Sequence, residues 1–171
     1  MKIAIEAQRI FRPNKHGMDF VALETIRELQ KRNDGNQYYV IVAPGEDRCL
    51  ENSANLSIIE VKYPTYPLWE QIGLPQAIKR LGVDLLHCTS NTAPLWCPVP
   101  LVLTLHDIIY LEPRQHRSPS LYQEMGWFYR RLVVPHIIKK CKKIITVSHF
   151  ECNCIQQALK IPVDQITTVY N

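Results

Sequence analysis

Apolar residues along the chain fall into short unbroken runs, separated by longer stretches in which apolar positions recur every three or four residues. Unbroken runs are typical of strands buried on both faces, and the recurrent spacing is typical of amphipathic helices. We therefore predict strands at 2–6, 38–44, 56–62, 84–88, 101–106 and 143–147, and a last extended segment at 166–171.

Four stretches with helical spacing lie between these runs. The first, 17–32, ends at the turn residues of "NDGN". The second begins near Pro75, because proline suits the first turn of a helix, and it ends at Gly82. The third covers 118–140. The fourth starts after Ser148, which an acidic residue follows three positions later, as in a capping box.

The alternation of fully apolar strands with helices predicts an α/β fold. Such strands are covered on both faces, and right-handed crossovers then favour an open, doubly wound, mostly parallel Rossmann-like sheet with helices on both faces. With 171 residues, of which 46% are hydrophobic, the chain fits a single domain, 1–171. The order of the strands stays open at this stage.

The sequence shows no membrane-spanning or secretory pattern. No stretch of about 18 uncharged apolar residues occurs. Glu6 interrupts the apolar amino terminus, where a secretory signal needs an unbroken apolar run. We therefore expect a cytoplasmic protein.

The sequence lacks the spacing patterns of zinc sites and of two common nucleotide-binding motifs. The six cysteines form no C-x-x-C or C-x-x-H pair, which structural zinc sites usually contain. We expect reduced, mostly buried thiols and no metal site. Neither G-x-G-x-x-G nor G-x-x-x-x-G-K-[ST] occurs, which argues against a dinucleotide enzyme and a P-loop NTPase.

Titratable side chains stand where three of the predicted strands end. Glu6 ends the first strand, His87 lies near the end of 84–88, and His106 and Asp107 follow the next apolar run. Ligands of parallel sheets gather beyond the carboxyl ends of the strands. We therefore expect these side chains and the loops after them to share one edge.

The loop after the first strand is rich in basic and imidazole side chains. A helix follows it at Gly17, and before that glycine come Arg9, Arg12, Lys15 and His16. Cations and a helix amino terminus can together hold a phosphate. The last two of these side chains and Gly17 are therefore candidate substrate-binding residues.

One segment, 114–143, concentrates positive charge. It holds eight lysines and arginines against one acid, Glu124, whereas the whole chain carries a net charge of +4. Aromatic residues lie among them, which suits an anionic membrane surface. A surface helix whose apolar stripe is simply core remains the alternative. Nucleic acid also binds basic patches, but we expect no nucleic-acid partner here.

Three stretches carry a likeness to a known family: "LTLHDIIYL", "YRRLVVPHIIKKCKKIITVSHFECNCI" and "TTVYN". They resemble, in this order, the amino-terminal half of family 4 (group 1) glycosyltransferases of the GT-B fold. That family has a strand ending in His-Asp, a helix leading into a strand like "iitvS", and an Asn-Gly junction into a second domain. The likeness is strongest over 101–171.

The resemblance implies roles for individual residues. His106 matches the histidine that contacts the donor sugar or the acceptor at the reaction centre, and Asp107 matches its neighbour, which orients the loop. Gly17 matches a glycine loop that approaches the donor diphosphate. This chain departs from the family there, because His16 stands where a second glycine is usual. Asn91, on the loop after 84–88, is a candidate acceptor contact.

The resemblance also implies a reaction. Such enzymes move a sugar from a nucleotide-sugar to a saccharide or lipid-linked acceptor, with retained configuration and no metal or other cofactor, commonly in cell-surface polysaccharide synthesis. A carboxy-terminal domain, which would lie outside this chain, binds the nucleotide-sugar, so these residues alone should transfer no sugar. The enzyme would be cytoplasmic or peripheral on the inner membrane face. Two alternatives stay open: a non-catalytic Rossmann-like module that binds a ligand or partner, and half of a sugar-nucleotide epimerase.

Overall fold

The computed structural model describes residues 1–112 and 121–170. Some features that the sequence predicted lie outside these ranges: the helix start at Ser118, the basic residues Arg114 and Arg117, and the junction residue Asn171. The predicted strands and the candidate site residues all lie inside them, apart from that last position.

Seven strands in the described residues form one sheet. They are β1 (Lys2–Glu6), β2 (Gln37–Val42), β3 (Leu56–Glu60), β4 (Leu85–Cys88), β5 (Leu101–Thr104), β6 (Lys143–Thr146) and β7 (Ile166–Thr168). Their order across the sheet is β3-β2-β1-β4-β5-β6-β7, and each neighbouring pair is parallel. The predicted α/β fold with a Rossmann-like parallel sheet is confirmed.

The helices are α1 (Gly17–Gln30), α2 (Tyr66–Leu68), α3 (Leu74–Leu81), α4 (Leu121–Ile138) and α5 (His149–Leu159), and a π-helical turn, Trp69–Gly73, joins α2 to α3. The predicted helix start near Pro75 is confirmed, because α3 begins at Leu74 with Pro75 in its first turn. A short helix that was not predicted, α2, precedes it and begins at Tyr66. The Thr65 hydroxyl accepts the Leu68 backbone N–H there and caps the first turn. Gly82, at φ 60°, ends α3 as predicted.

The apolar residues of the sheet divide between two clusters. Along β1, Ile5 belongs to a cluster with Leu23 and Ile26 of α1. Its neighbour Ala4 belongs to the other cluster, with Ile137 of α4. Because successive strand residues point to opposite faces, the two clusters lie on the two sides of the sheet. Helices therefore cover both faces.

The strand order reverses direction at β1. From β1 the chain runs outward to β2 and β3, and it then returns to place β4 on the other side of β1. The loops after β1 and β4 leave the sheet in opposite directions, which opens a crevice at the carboxyl edge. This is where the candidate site lies.

The cysteines and the other potential metal ligands are dispersed in the fold. All six cysteines are described and have free thiols, and Cys88 and Cys141 are buried while the other four are half-buried. In residues 1–112 and 121–170, no group of three or more His, Cys, Asp and Glu side chains could hold a metal ion.

α4 carries the described centre of the basic segment. Arg131 on α4, and Lys139 and Lys140 just after it, are exposed, as are the apolar side chains of Phe128 and Leu132. None of the described helices, α4 included, is both long and apolar enough to cross a membrane. α4 thus presents mixed basic and apolar groups at the surface.

Candidate functional site

The loops that follow β1, β4 and β5 touch one another at the carboxyl edge of the sheet. Thr89, directly after β4, donates its hydroxyl to the backbone oxygen of Glu6 at 2.8 Å. The carbonyl oxygen of Thr89 lies 2.9 Å from Nε2 of His106. One threonine therefore joins the ends of β1 and β5, and the predicted meeting of these loops at one edge is confirmed.

His106 lies two residues beyond β5 and is half-buried. Its backbone N–H donates to Oδ1 of Asn91 at 2.6 Å. Because the Thr89 carbonyl can only accept, Nε2 of His106 carries the hydrogen in their contact, and the neutral ring keeps its lone pair on Nδ1. The imidazole can therefore accept a hydrogen bond from a substrate hydroxyl through Nδ1.

Asn91 holds the two loops beside His106 together. It is 2% exposed and has a left-handed backbone, φ 65°, which asparagine tolerates better than most residues. Its Nδ2 lies 3.5 Å from Oδ2 of Asp107, whose Oδ1 accepts the Ile109 backbone N–H at 3.2 Å. Both side chains fix the loop geometry, and their predicted contacts with substrate stay predictions.

The amino terminus of α1 already has a carboxylate of its own. Asp19, near the start of α1, accepts the backbone N–H of His16 at 2.7 Å and pairs with Arg12. A Cβ on Gly17 would meet no atom within 4 Å, so packing does not require glycine there. The internal carboxylate makes this terminus less favourable for an added diphosphate, and the donor roles predicted for His16 and Gly17 stay predictions.

Lys15 is engaged within its own loop. Its Nζ forms an ion pair with Asp47 and donates to the backbone oxygen of Arg12 at 3.2 Å. The side chain is only 4% exposed. The substrate-binding role predicted for Lys15 stays a prediction, and in this structure its ammonium group stabilises the loop.

Glu6, the last residue of β1, is a fully buried carboxyl group at the centre of the edge. Its Oε1 accepts the Gln8 backbone N–H at 3.0 Å, and its Oε2 accepts the Thr89 backbone N–H at 3.2 Å. Burial is the largest influence and raises the pKa of Glu6 to about 7, with a further increase from the nearby Glu70. Glu6 therefore titrates near neutral pH.

We predict that Glu6→Gln removes a stability loss that the wild type shows as pH rises. Because the pKa is raised in the folded state, the contribution of Glu6 is fully present below its ordinary pKa of 4.5 and is lost as pH rises through about 7. This pKa shift corresponds to a change of about 3 kcal/mol in the free energy of unfolding. Burial lowers the pKa of His87 to about 4, which gives an opposite slope, so only the difference between variant and wild type isolates Glu6.

Urea unfolding at about pH 5 and about pH 8 measures this difference. The wild type should lose stability relative to Glu6→Gln between the two conditions, whereas Glu51→Gln, at an exposed position, should track the wild type at both. An equal gap between Glu6→Gln and wild type at both pH values would contradict the titration of a buried Glu6.

A second buried acid, Glu70, lies in the π-helical turn and organises what we call the Glu70 network. Its Oε1 accepts from the Tyr66 hydroxyl at 2.7 Å and the Thr92 hydroxyl at 2.5 Å. Its Oε2 accepts from Nε2 of Gln71 at 3.0 Å and from the Tyr129 hydroxyl. The network ties α2 and the loop after β4 to α4.

Sequence reasoning missed the Glu70 network. The one local signal is an acid inside the apolar stretch "LWEQIGL" of a helical segment, where a charged side chain needs partners. π-helical turns within helices also occur frequently at functional sites. Neither signal identifies the partners of Glu70, because they come from other parts of the chain.

A cleft of about 870 Å³, here called the α4 cleft, lies beside these loops. Its walls come from the loop after β1, the starts of α1 and α2, the loop after β4, and α4. His16 lines it, whereas the other predicted site residues do not. Ser90 also lines it, and Ser90 directly follows the Thr89 that holds the His106 ring. The cleft is thus adjacent to His106.

Comparison with known proteins places the chain in a family. The sequence profile of Glycosyltransferase Family 4 matches residues 16–171, which include α1, the loops after β4 and β5, and α4. A search of curated protein sequences gives no significant match. Because the profile covers far more than half of the sequence, this chain belongs to glycosyltransferase family 4.

Proposed function

We propose that residues 1–171 form the acceptor-side domain of a retaining glycosyltransferase of the hexosyltransferase type. It would move a sugar from a nucleotide-sugar to a saccharide or lipid-linked acceptor. The observation that carries the proposal is His106, whose backbone N–H binds Asn91 and whose ring binds Thr89, beside the α4 cleft. Family membership favours this reaction over the epimerase and the non-catalytic module.

His106 has an orienting and electrostatic role in this proposal. Its Nδ1 accepts a hydrogen bond from a hydroxyl of the donor sugar or the acceptor, because Nε2 is already engaged with Thr89. Asp107 keeps the loop in place for this contact. His16 and Gly17 would face the departing diphosphate, which is stabilised by preorganised donors.

A second domain that binds the nucleotide-sugar completes the proposed enzyme. Exposed apolar side chains stand at the carboxyl ends of three neighbouring strands: Ile109 after β5, Phe150 after β6 and Tyr170 after β7. Such side chains are typical of a surface that another domain covers. The 171 residues alone would then bind an acceptor and transfer no sugar.

The proposed setting is the cytoplasmic face of a membrane, in cell-surface polysaccharide synthesis. The support is the exposed basic and apolar mixture on and just after α4, since each basic side chain near an anionic bilayer contributes about 1 kcal/mol to binding. The family membership supports the sugar chemistry. The polysaccharide context comes from the family resemblance.

A transfer assay with retention of configuration tests the proposed function. The enzyme that contains this domain together with its donor-binding domain is incubated with a panel of labelled nucleotide-sugars and acceptors. We expect transfer from at least one donor, with the anomeric configuration of the donor kept in the product by NMR, and no transfer by the 171 residues alone. Inversion, or no transfer from any donor, would contradict the proposal.

A further inference from the structure

The α4 cleft has a cationic and an apolar lining. Four of its lining side chains are basic or imidazole: Arg9, Arg12, His16 and Arg130. Five are apolar: Met18, Pro67, Met125, Phe128 and Leu132. Among the described residues that line the cleft, none is acidic. The cleft therefore suits a ligand that is anionic in one part and apolar in another.

Two of the arginines that line the cleft have guanidinium groups that can bind an anionic ligand. Arg12 pairs with Asp19, whereas Arg9 and Arg130 form no ion pair within residues 1–112 and 121–170. The Arg9 guanidinium lies over the Tyr66 ring, 5.0 Å from its centroid. A guanidinium offers paired N–H donors whose geometry matches a phosphate. Arg9 and Arg130 are therefore suited to bind one.

The apolar lining is a stripe on α4. Met125, Phe128 and Leu132 are three and four residues apart, so they lie on one side of the helix. They are 59%, 62% and 64% exposed, although a helix of a soluble domain normally buries its apolar stripe. Large contiguous apolar surface of this kind marks a binding site.

We propose that the α4 cleft binds a lipid-borne phosphate, which makes the acceptor a phosphorylated lipid. Arg9 and Arg130 hold the phosphate, and the hydrocarbon lies along Met125, Phe128 and Leu132. A neutral saccharide would give neither guanidinium group an anionic partner in the cleft and would leave the stripe in water. This inference rests on the proposed function, because it assigns the acceptor class of that same site.

Titration of the 171-residue chain with decyl phosphate, below its critical micelle concentration, tests the inference by calorimetry. Inorganic phosphate and decyl maltoside are the matched probes for the charge alone and the hydrocarbon alone. We expect the Kd of decyl phosphate to be at least about tenfold lower than that of either. Equal affinity for decyl phosphate and decyl maltoside would overturn it.

Neighbouring residues of α4 provide matched variants. Arg130 lines the cleft, whereas Arg131 is exposed and stacks on Trp127, 4.9 Å from the ring centroid. Arg130→Gln should raise the Kd of decyl phosphate about tenfold, and Arg131→Gln, with the same loss of charge, should change it less than about twofold. Equal effects of the two variants would mean non-specific attraction and overturn the proposal.

The apolar part has its own pair of variants. Phe128→Gln should weaken decyl phosphate binding about tenfold and leave inorganic phosphate binding unchanged, whereas Phe150→Gln, outside the cleft, should affect neither. Melting curves confirm that each variant folds. If Arg130→Gln unfolds, Arg9→Gln replaces it in the same comparison.

The result also separates this inference from the proposed function. Transfer to a neutral saccharide acceptor, in an enzyme whose cleft does not bind decyl phosphate, would overturn the lipid phosphate and leave the transferase. Specific binding of decyl phosphate without transfer from any nucleotide-sugar would support the cleft assignment and contradict the transferase.

Discussion

Replacing His106 by alanine in the enzyme that contains this domain is expected to lower kcat by about 10²- to 10³-fold. The substitution removes the Nδ1 contact proposed for a substrate hydroxyl. The fold should persist, because Asn91 binds the backbone N–H of residue 106 rather than its side chain. The measurement is the steady-state turnover of sugar transfer, together with the melting temperature of the variant.

Two comparisons distinguish chemistry from structure in this experiment. His106→Gln can still donate to the Thr89 carbonyl but places no imidazole nitrogen toward substrate, so its kcat should also fall. His136→Ala, an exposed histidine on α4, should leave kcat unchanged. Near-normal turnover of His106→Ala with an intact melting curve would remove His106 from the reaction centre.

The fold could be predicted from the sequence because strands that are buried on both faces of a sheet have apolar residues at successive positions. Residues 101–103 of the first run and 144–145 of the second are apolar on successive positions, as β5 and β6 require in a sheet with helices on both sides. The same pattern indicates that His106 and Asp107 lie at the carboxyl edge. The strand order could not be predicted, because it depends on which strands pair rather than on any one strand.

The missed parts of the site depend on contacts between distant residues. Glu70 binds Thr92, 22 residues away, and Tyr129, 59 residues away. Lys15 meets its partner Asp47 across 32 residues. Periodicity and capping patterns report local geometry and burial, so they show that such a side chain needs a partner without identifying it. This is why the sequence indicates Lys15 as a substrate-binding candidate without showing its ion pair with Asp47.

The Glu70 network gathers several hydrogen-bond donors around one buried carboxyl group. Oε1 of Glu70 and the hydroxyl oxygens of Tyr66 and Thr92 form a closed triangle with sides of 2.7, 2.8 and 2.5 Å. Tyr66 and Thr92 both donate their hydroxyl hydrogens to Oε1, so the carboxyl group is their common acceptor. Burial, the largest influence, raises the pKa of Glu70, and the hydrogen bonds from these side chains act in the opposite direction.

Replacing Glu70 by alanine is therefore expected to lower the free energy of unfolding by about 4 kcal/mol. The change leaves the hydroxyls of Tyr66, Thr92 and Tyr129 without their acceptor, and it opens a cavity at a fully buried position of the π-helical turn. Glu70→Gln keeps the volume and one acceptor oxygen, so its loss should be about half as large. Urea denaturation followed by tryptophan fluorescence measures both.

The same denaturation series includes a control variant, and one of its outcomes would contradict the role assigned to Glu70. Glu51→Ala, at an exposed position, should stay within about 0.5 kcal/mol of the wild type. Because Tyr129 anchors α4 to the network, the alanine variant should also expose α4 to limited proteolysis before global unfolding. A loss below about 1 kcal/mol for Glu70→Ala, with α4 still protected, would mean that the hydroxyls satisfy one another and that Glu70 does not hold α4 in place.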